Sequence, residues 1–236
     1  MRLIITRPVE RALPLAERLT ELGAEPILVP MLKIEAVPFD PPEQPIQGII
    51  FTSVQGVEAA AKRPELHIFP VYAVGSKTAG AASAAGFQTV HNADGDVEAL
   101  FQLVMTSCNA GKGLLLHLSG GQTTGQLVER LDQKGFQANR VKVYEARPET
   151  SMPTNVLDKI KRKAFDGVAF FSPRTAHIFN QVVEEAGVTN SFGNAFALCL
   201  SDRVAQEVEK LDWKKIHIAD NPTEQGMLTL LQGLRT

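Results

Sequence analysis

Apolar and polar positions fall into two patterns along this chain. Short apolar runs closed by turn-forming residues read as buried strands over 3–6, 27–34, 48–52, 71–75, 88–91, 114–118, 140–146, 167–171, 196–200 and 215–218. Between them lie segments with helical spacing: 9–22, with Ala12, Leu15, Ala16 and Leu19 on one face, then 78–85, 125–134, 174–186 and 204–211. Strands alternating with helices predict an α/β protein whose parallel sheets are joined by right-handed crossovers. Five strands to a set suit a small flavodoxin-like sheet.

The elements also repeat. "GIIFTSVQGVEAA" (48–60) and "GVAFFSPRTAHIF" (167–179) each give a Gly, an apolar strand, a Ser and a helix start. The segment beginning at 71 aligns without a gap on the one beginning at 197, so that Ala79 falls on Ala205, His91 on His217, Ala93-Asp94 on Ala219-Asp220 and Glu98 on Glu224. Glu17-Arg18-Leu19 with Gly23 falls in the same way on Glu129-Arg130-Leu131 with Gly135. The chain thus reads as quarters A-B-A′-B′. Two pairings are open: A with B and A′ with B′, or A with B′ and B with A′. The long segments 25–37 and 139–149 occupy equivalent repeat positions, and Pro-rich stretches follow both. They are either an antiparallel ladder joining two lobes or ordinary second strands with loose exits.

Bulk properties narrow the function classes. At 236 residues the chain makes one large domain or two small ones. A net charge of −2 leaves no footprint for nucleic acid, and none is expected as a partner. Cys108 and Cys199 have no metal or redox spacing, and the five histidines show no i,i+4 pair, so no metal is expected. "MRLIITRP" is not a secretory signal, and no apolar run reaches the roughly 18 residues of a membrane span. The expectation is a soluble, cytoplasmic, monomeric protein without a membrane partner.

Ligands of open parallel sheets bind beyond the carboxyl ends of the strands. Those ends carry Thr6 and Arg7, Ser53, the run Gly75, Ser76, Lys77, Thr78, and the run Ser119, Gly120, Gly121. In the second half they carry Ser172 and Arg174, Ser201 and Arg203, and Thr223. Helix starts there present N–H groups and a fractional positive charge. With Arg7, Lys77, Arg174 and Arg203 added, two lobes facing one cleft would favour a multiply anionic small molecule. The plainer alternative is capped helix starts and solvated cations. Pro8, Pro173 and Pro222 suit first helical turns, and Asn221 with Glu224 has capping-box spacing.

"LSGGQ" (118–122) matches the signature loop of cassette ATPases, but no phosphate cradle accompanies it: Gly111-Lys112 is followed by Gly113, not Ser or Thr. It reads instead as a strand-to-helix turn in which Leu118 ends a strand, Ser119 caps, and Gly120-Gly121 allow a tight backbone. Tyr144 closes the strand "VKVYEA" (141–146) beside the candidate cleft. Its phenol can donate a proton there, or it is a half-buried strand aromatic with its hydroxyl in water. No G-x-G-x-x-G follows a strand and no G-x-S-x-G is present, which leaves dinucleotide binding and serine hydrolysis without support.

An ordered set of segments resembles the uroporphyrinogen-III synthase family: "TRP" (6–8), "IFTSVQGV" (50–57), "VYAVGSKTAGAASAAGF" (71–87), "VYEA" (143–146), "FFSPRTA" (170–176) and "IHIADNPTEQGML" (216–228). The resemblance implies two flavodoxin-like parallel-sheet lobes joined by a two-stranded ladder. Lobe one would be 1–36 with 147–236, and lobe two 37–146. It implies cofactor-free cyclisation of hydroxymethylbilane, a polycarboxylate, to uroporphyrinogen III with ring D inverted. The outline is loss of the terminal hydroxyl, a spiro intermediate, and reclosure. It also implies that Tyr144 assists hydroxyl loss. A Thr common in the family's first-lobe turn is replaced here by Val204, while Thr78 keeps the hydroxyl in the sister turn. Rival readings are a non-enzymatic two-lobed protein that binds small anions, and a flavin-binding regulator.

Overall fold

The protein is described by a computed structural model over residues 1–121 and 126–234. The chain begins with β1 (Arg2–Ile5), α1 (Val9–Glu21), β2 (Glu25–Leu28), β3 (Leu32–Ala36), β4 (Ile46–Phe51) and α2 (Val54–Ala60). It continues through β5 (Val71–Ala73), α3 (Ser76–Ala84), β6 (Val90–Asn92), α4 (Val97–Ser107), β7 (Leu114–Gly120), α5 (Leu127–Gln133) and β8 (Gln137–Pro148). The last part holds α6 (Thr154–Lys161), β9 (Gly167–Phe170), α7 (Pro173–Glu185), β10 (Phe196–Cys199), α8 (Asp202–Val208), β11 (Lys215–Ile218) and α9 (Glu224–Gly233). The architecture is α/β with parallel sheets.

One sheet has the order β11-β10-β9-β1-β2, and the other β3-β8-β7-β4-β5-β6. Matched through the sequence repeat, the two orders coincide. In the second sheet β8, β7, β4, β5 and β6 take the places that β2, β1, β9, β10 and β11 hold in the first. Quarter A therefore pairs with B′, and B with A′. The second sheet is a circular permutation of the first. Two compact units correspond to them: Met1–Lys33 with the chain from Arg147 onward, and Ile34–Ala146.

The run 27–34, expected as one strand, is two. It breaks at Val29-Pro30-Met31, where Val29 and Met31 donate to Ile5 O and Thr6 O at 2.9 and 3.1 Å while Pro30 has no N–H to give. Beyond the break β3 leaves the first sheet and lies against β8 in the second. Val37 N–H donates to Val143 O at 2.8 Å, and Glu149 N–H to Met31 O at 3.1 Å. Numbers rise on one strand as they fall on the other, so this pairing is antiparallel.

Apolar strands are buried on both faces, as parallel sheets require. In β4, Ile49 and Phe51 join a cluster with Val57, Ala82, Leu116 and Val143, while Ile50 joins Leu100, Phe101, Val104 and Leu131 on the other face. In the first unit, α1 turns Ala12, Leu15 and Leu19 onto Leu3, Ile5 and Met227. Phe170, Phe179, Phe192 and Trp213 pack edge-on or tilted in the same unit, with centroids 4.9 to 5.9 Å apart.

The repeated Gly23 and Gly135 have one explanation. Both hold a left-handed φ (73° and 82°) just past α1 and α5, where the next residue's N–H closes the helix onto Leu19 O and Leu131 O. Helices α2, α4, α6 and α9 add to those read as periodic stretches. For α4 the signal is plain afterwards: Asp96 caps the N–H groups of Glu98 and Ala99 ahead of Leu100, Phe101 and Val104. The expected helix start at 125 lies outside the described residues.

Candidate functional site

The richest side-chain chemistry lies at the carboxyl edge of the second unit's sheet. Tyr144 sits on β8 beside the end of β7, and its hydroxyl is 2.9 Å from Ser53 Oγ. Ser53 also N-caps α2, accepting the Gly56 N–H at 3.3 Å. The pairing of β7 with β8 slips between Ser119 and Gly120, so that Gly120 faces Tyr144. The phenol lies directly on Gly120: a Cβ there would come within 2.7 Å of Cε2 and 2.9 Å of Cζ. On the neighbouring strand position Lys142 is paired with Glu145 at 2.9 Å.

This geometry corrects the reading of "LSGGQ". The strand runs on through Ser119 and Gly120; Ser119 is wholly buried, and among the described residues it caps no helix and its Oγ reaches only Gly120 O, at 3.4 Å. Helix α5 begins later, from Gln126, without a side-chain cap. The glycine at 120 serves the close approach of Tyr144, and Gly121 lies exposed beyond it. Gln122 is outside the described residues.

His117, two residues before Ser119, was not anticipated. Its ring is 3% exposed, Nε2 is 3.2 Å from Thr52 Oγ1, and Nδ1 has no partner among the described residues. Burial, assisted by Arg140, holds its pKa down to about 4, so the ring is neutral at neutral pH.

At the edge after β5, α3 starts from Gly75 with no side-chain cap, which leaves first-turn N–H groups for an outside acceptor. Lys77 is exposed there and makes no ion pair among the described residues. The Ser76 hydroxyl, expected to meet substrate, is already engaged: it donates to Asp94 at 2.8 Å and accepts from Asn92 Nδ2 at 3.0 Å. Thr78 is 5% exposed and faces the core, so its side chain is closed to a ligand. Val204, the repeat equivalent of Thr78, is buried as well, so a hydroxyl at 204 would also point inward.

The first unit arranges its own set. Thr6 is wholly buried and donates to Ala169 O at 2.8 Å; it ties β1 to β9 and has no surface to offer. Arg7 lies 4.4 Å over the Phe171 ring and pairs with Glu224 Oε2, while Arg18 takes the other oxygen at 3.0 Å. The full charge expected of Arg7 is therefore largely met within the protein, and two arginines against one glutamate leave the group positive by one. Ser172 caps α7 through the Thr175 N–H, and Thr223 caps α9 through the Gly226 N–H, so both hydroxyls already accept one bond. The capping box expected of Asn221 and Glu224 is absent because the cap is Thr223. Arg174 is exposed in the first turn of α7. Ser201 precedes α8 without a cap bond, and Arg203 is exposed at the repeat position of Lys77.

The family described as Uroporphyrinogen-III synthase HemD matches residues 14–229. No curated protein matches. Among solved structures, uroporphyrinogen-III synthetase from Helicobacter pylori 26695 is similar over the whole of both chains, at 19% identity and a TM-score of 0.62, a likeness of fold. Thermus thermophilus uroporphyrinogen III synthase matches over the whole of both chains at 18% identity and a TM-score of 0.44.

Proposed function

We propose, from the premise that the chain belongs to the uroporphyrinogen-III synthase family, that Tyr144 is the proton donor of its reaction and that strand-end turns hold the substrate's carboxylates. The reaction is a cyclising lyase step of heme biosynthesis, in which hydroxymethylbilane closes to uroporphyrinogen III with ring D inverted. Its difficult event is departure of a hydroxide. A phenol proton delivered to that oxygen lets it leave as water. The ring carbon that finally closes the macrocycle gives up a proton, which restores the phenol and balances the cycle. Inversion of ring D then depends on which ring carbon is held near the reactive methylene, an effect of orientation.

One observation carries the assignment. Of the chain's two tyrosines, Tyr72 is buried, with its phenol pushed far above the ordinary range, chiefly by burial. Tyr144 is half-buried at the carboxyl edge, with its hydroxyl bonded to a helix cap. For the carboxylates, the accessible donors are the uncapped starts of α1 and α3, Gly121, Lys77, Arg174, Ser201 and Arg203. Arg7 contributes through the net positive charge it shares with Arg18 and Glu224.

The same proposal takes residues 1–36 with 147–236, and 37–146, as its lobes; compact units dividing after Lys33 and Ala146 support it. We take the enzyme to be a cytoplasmic monomer; no described helix is long and apolar enough to cross a membrane. The test supplies purified protein with hydroxymethylbilane and separates the product isomers. The type III isomer is expected, and Tyr144→Phe should slow its formation at least about ten-fold, the lower range of a lost general acid. Only the spontaneous type I product from the unaltered protein would refute the function, and an unchanged rate in Tyr144→Phe would remove that residue from its role.

A further inference from the structure

We infer that Ser53 is a positioning residue for Tyr144, directing the phenol's own proton outward, and that it does not hold substrate. The inference rests on Tyr144 being the proton donor. It comes from counting the donors and acceptors of one hydroxyl. Ser53 Oγ has one proton and two lone pairs. One lone pair is filled by the Gly56 N–H at 3.3 Å. Among the described residues, its other partner is the Tyr144 hydroxyl at 2.9 Å.

Two arrangements satisfy that distance. If Tyr144 donates to Ser53, the Ser53 proton has no acceptor among the described residues and the phenol's proton is spent. If Ser53 donates to Tyr144, the bonds run in one direction, from Gly56 N–H to Ser53 Oγ and from Ser53 O–H to Tyr144 Oη. The Tyr144 proton is then free to point away from the protein. Each arrangement leaves one hydroxyl proton without a described acceptor, and only the second leaves it on the phenol, as a proton donor requires. As the phenol passes its proton to the departing oxygen, the charge left on Oη is met by a donor already in place, whose bond strengthens as that charge grows.

Gly120 fixes the ring from the side. With ring carbons less than 3 Å from where a Cβ would stand, only glycine lets the phenol lie where Ser53 can reach it. Ser53 and Tyr144 are 91 residues apart in sequence, one just past β4 and the other within β8, so the bond is made by the fold alone.

The experiment uses Ser53→Gly in the full chain. Gly caps a helix nearly as well as Ser, within a few tenths of a kcal/mol, so this variant removes the hydroxyl with little loss of fold. The expected result is a kcat about ten-fold lower with KM unchanged within about two-fold, the size of one hydrogen bond to a developing charge. In a Tyr144→Phe background the same change should have no further effect. Ser53→Thr, which keeps the hydroxyl, should restore most of the rate.

A raised KM with unchanged kcat would make Ser53 a substrate holder and overturn the inference. So would an equal loss in the Phe background. A Tyr144→Phe enzyme as fast as the unaltered one would instead refute the premise.

Discussion

At the scale of the residue, the site is governed by where each polar atom spends its hydrogen bonds. Ser172 and Thr223 each accept a helix N–H, Ser76 is shared between Asp94 and Asn92, and Thr6 ties two strands together. His117 is the exception, because its Nδ1 is buried without a described partner. It also makes stability depend on pH. Its folded pKa of about 4 lies below its unfolded value near 6.5, so below that value the unfolded chain takes up a proton that the folded one refuses. Stability from this group is therefore whole above pH ~6.5 and falls as pH drops toward about 4, by up to roughly 3 kcal/mol. Urea unfolding at pH 7.5 and pH 5 should show the difference, and His117→Gln should abolish most of it. An equally steep dependence in the variant would assign the effect to other groups.

At the scale of the element, one residue runs against the helix that holds it. Pro14 stands inside α1, exposed, where it cannot donate to Glu10 O. Replacing it with Ala restores that bond and a better helix former, while the unfolded chain gains freedom that offsets about 1 kcal/mol. Pro14→Ala should raise stability by about 1–2 kcal/mol, read as a melting temperature several degrees higher. A lower melting temperature would mean that the first unit requires the distortion Pro14 imposes. Strand ends matter in another way, because a residue taken into a strand points to one face of the sheet and no longer caps the helix that follows. The end of β7 shows the consequence: two residues more than the apolar run implied, and Ser119 turns from cap to core.

At the scale of the whole molecule, one unit is a continuous stretch of chain and the other is assembled from both ends. Residues 34–146 contain β4 to β8 and apolar clusters on both faces of their sheet. That segment, expressed alone, should fold and unfold cooperatively in urea. A soluble fragment with no cooperative transition would show that its sheet needs the rest of the chain. Residues 1–33 carry two strands whose sheet partner begins at Gly167, and they should stay unfolded alone. Much of this was legible in the sequence: alternating strands and helices, and the four-part repeat. The strand that Tyr144 was expected to close runs on to Pro148, so the tyrosine lies within it. An apolar run of strand length and a glycine past a helix are local signals, so one sequence suffices to read them. The pairing of quarters was not legible from periodicity, because a strand buried on both faces shows that it has neighbours but not which ones. Nor was the bond from Ser53 to Tyr144, because a side chain's partner is set by which distant segments the fold brings side by side. The sequence determined which pieces this chain makes and the order of their ends. Only the tertiary structure decided which pieces share a sheet, and so which hydroxyl stands against the phenol, because backbone hydrogen bonds between strands carry no label of the side chains beside them.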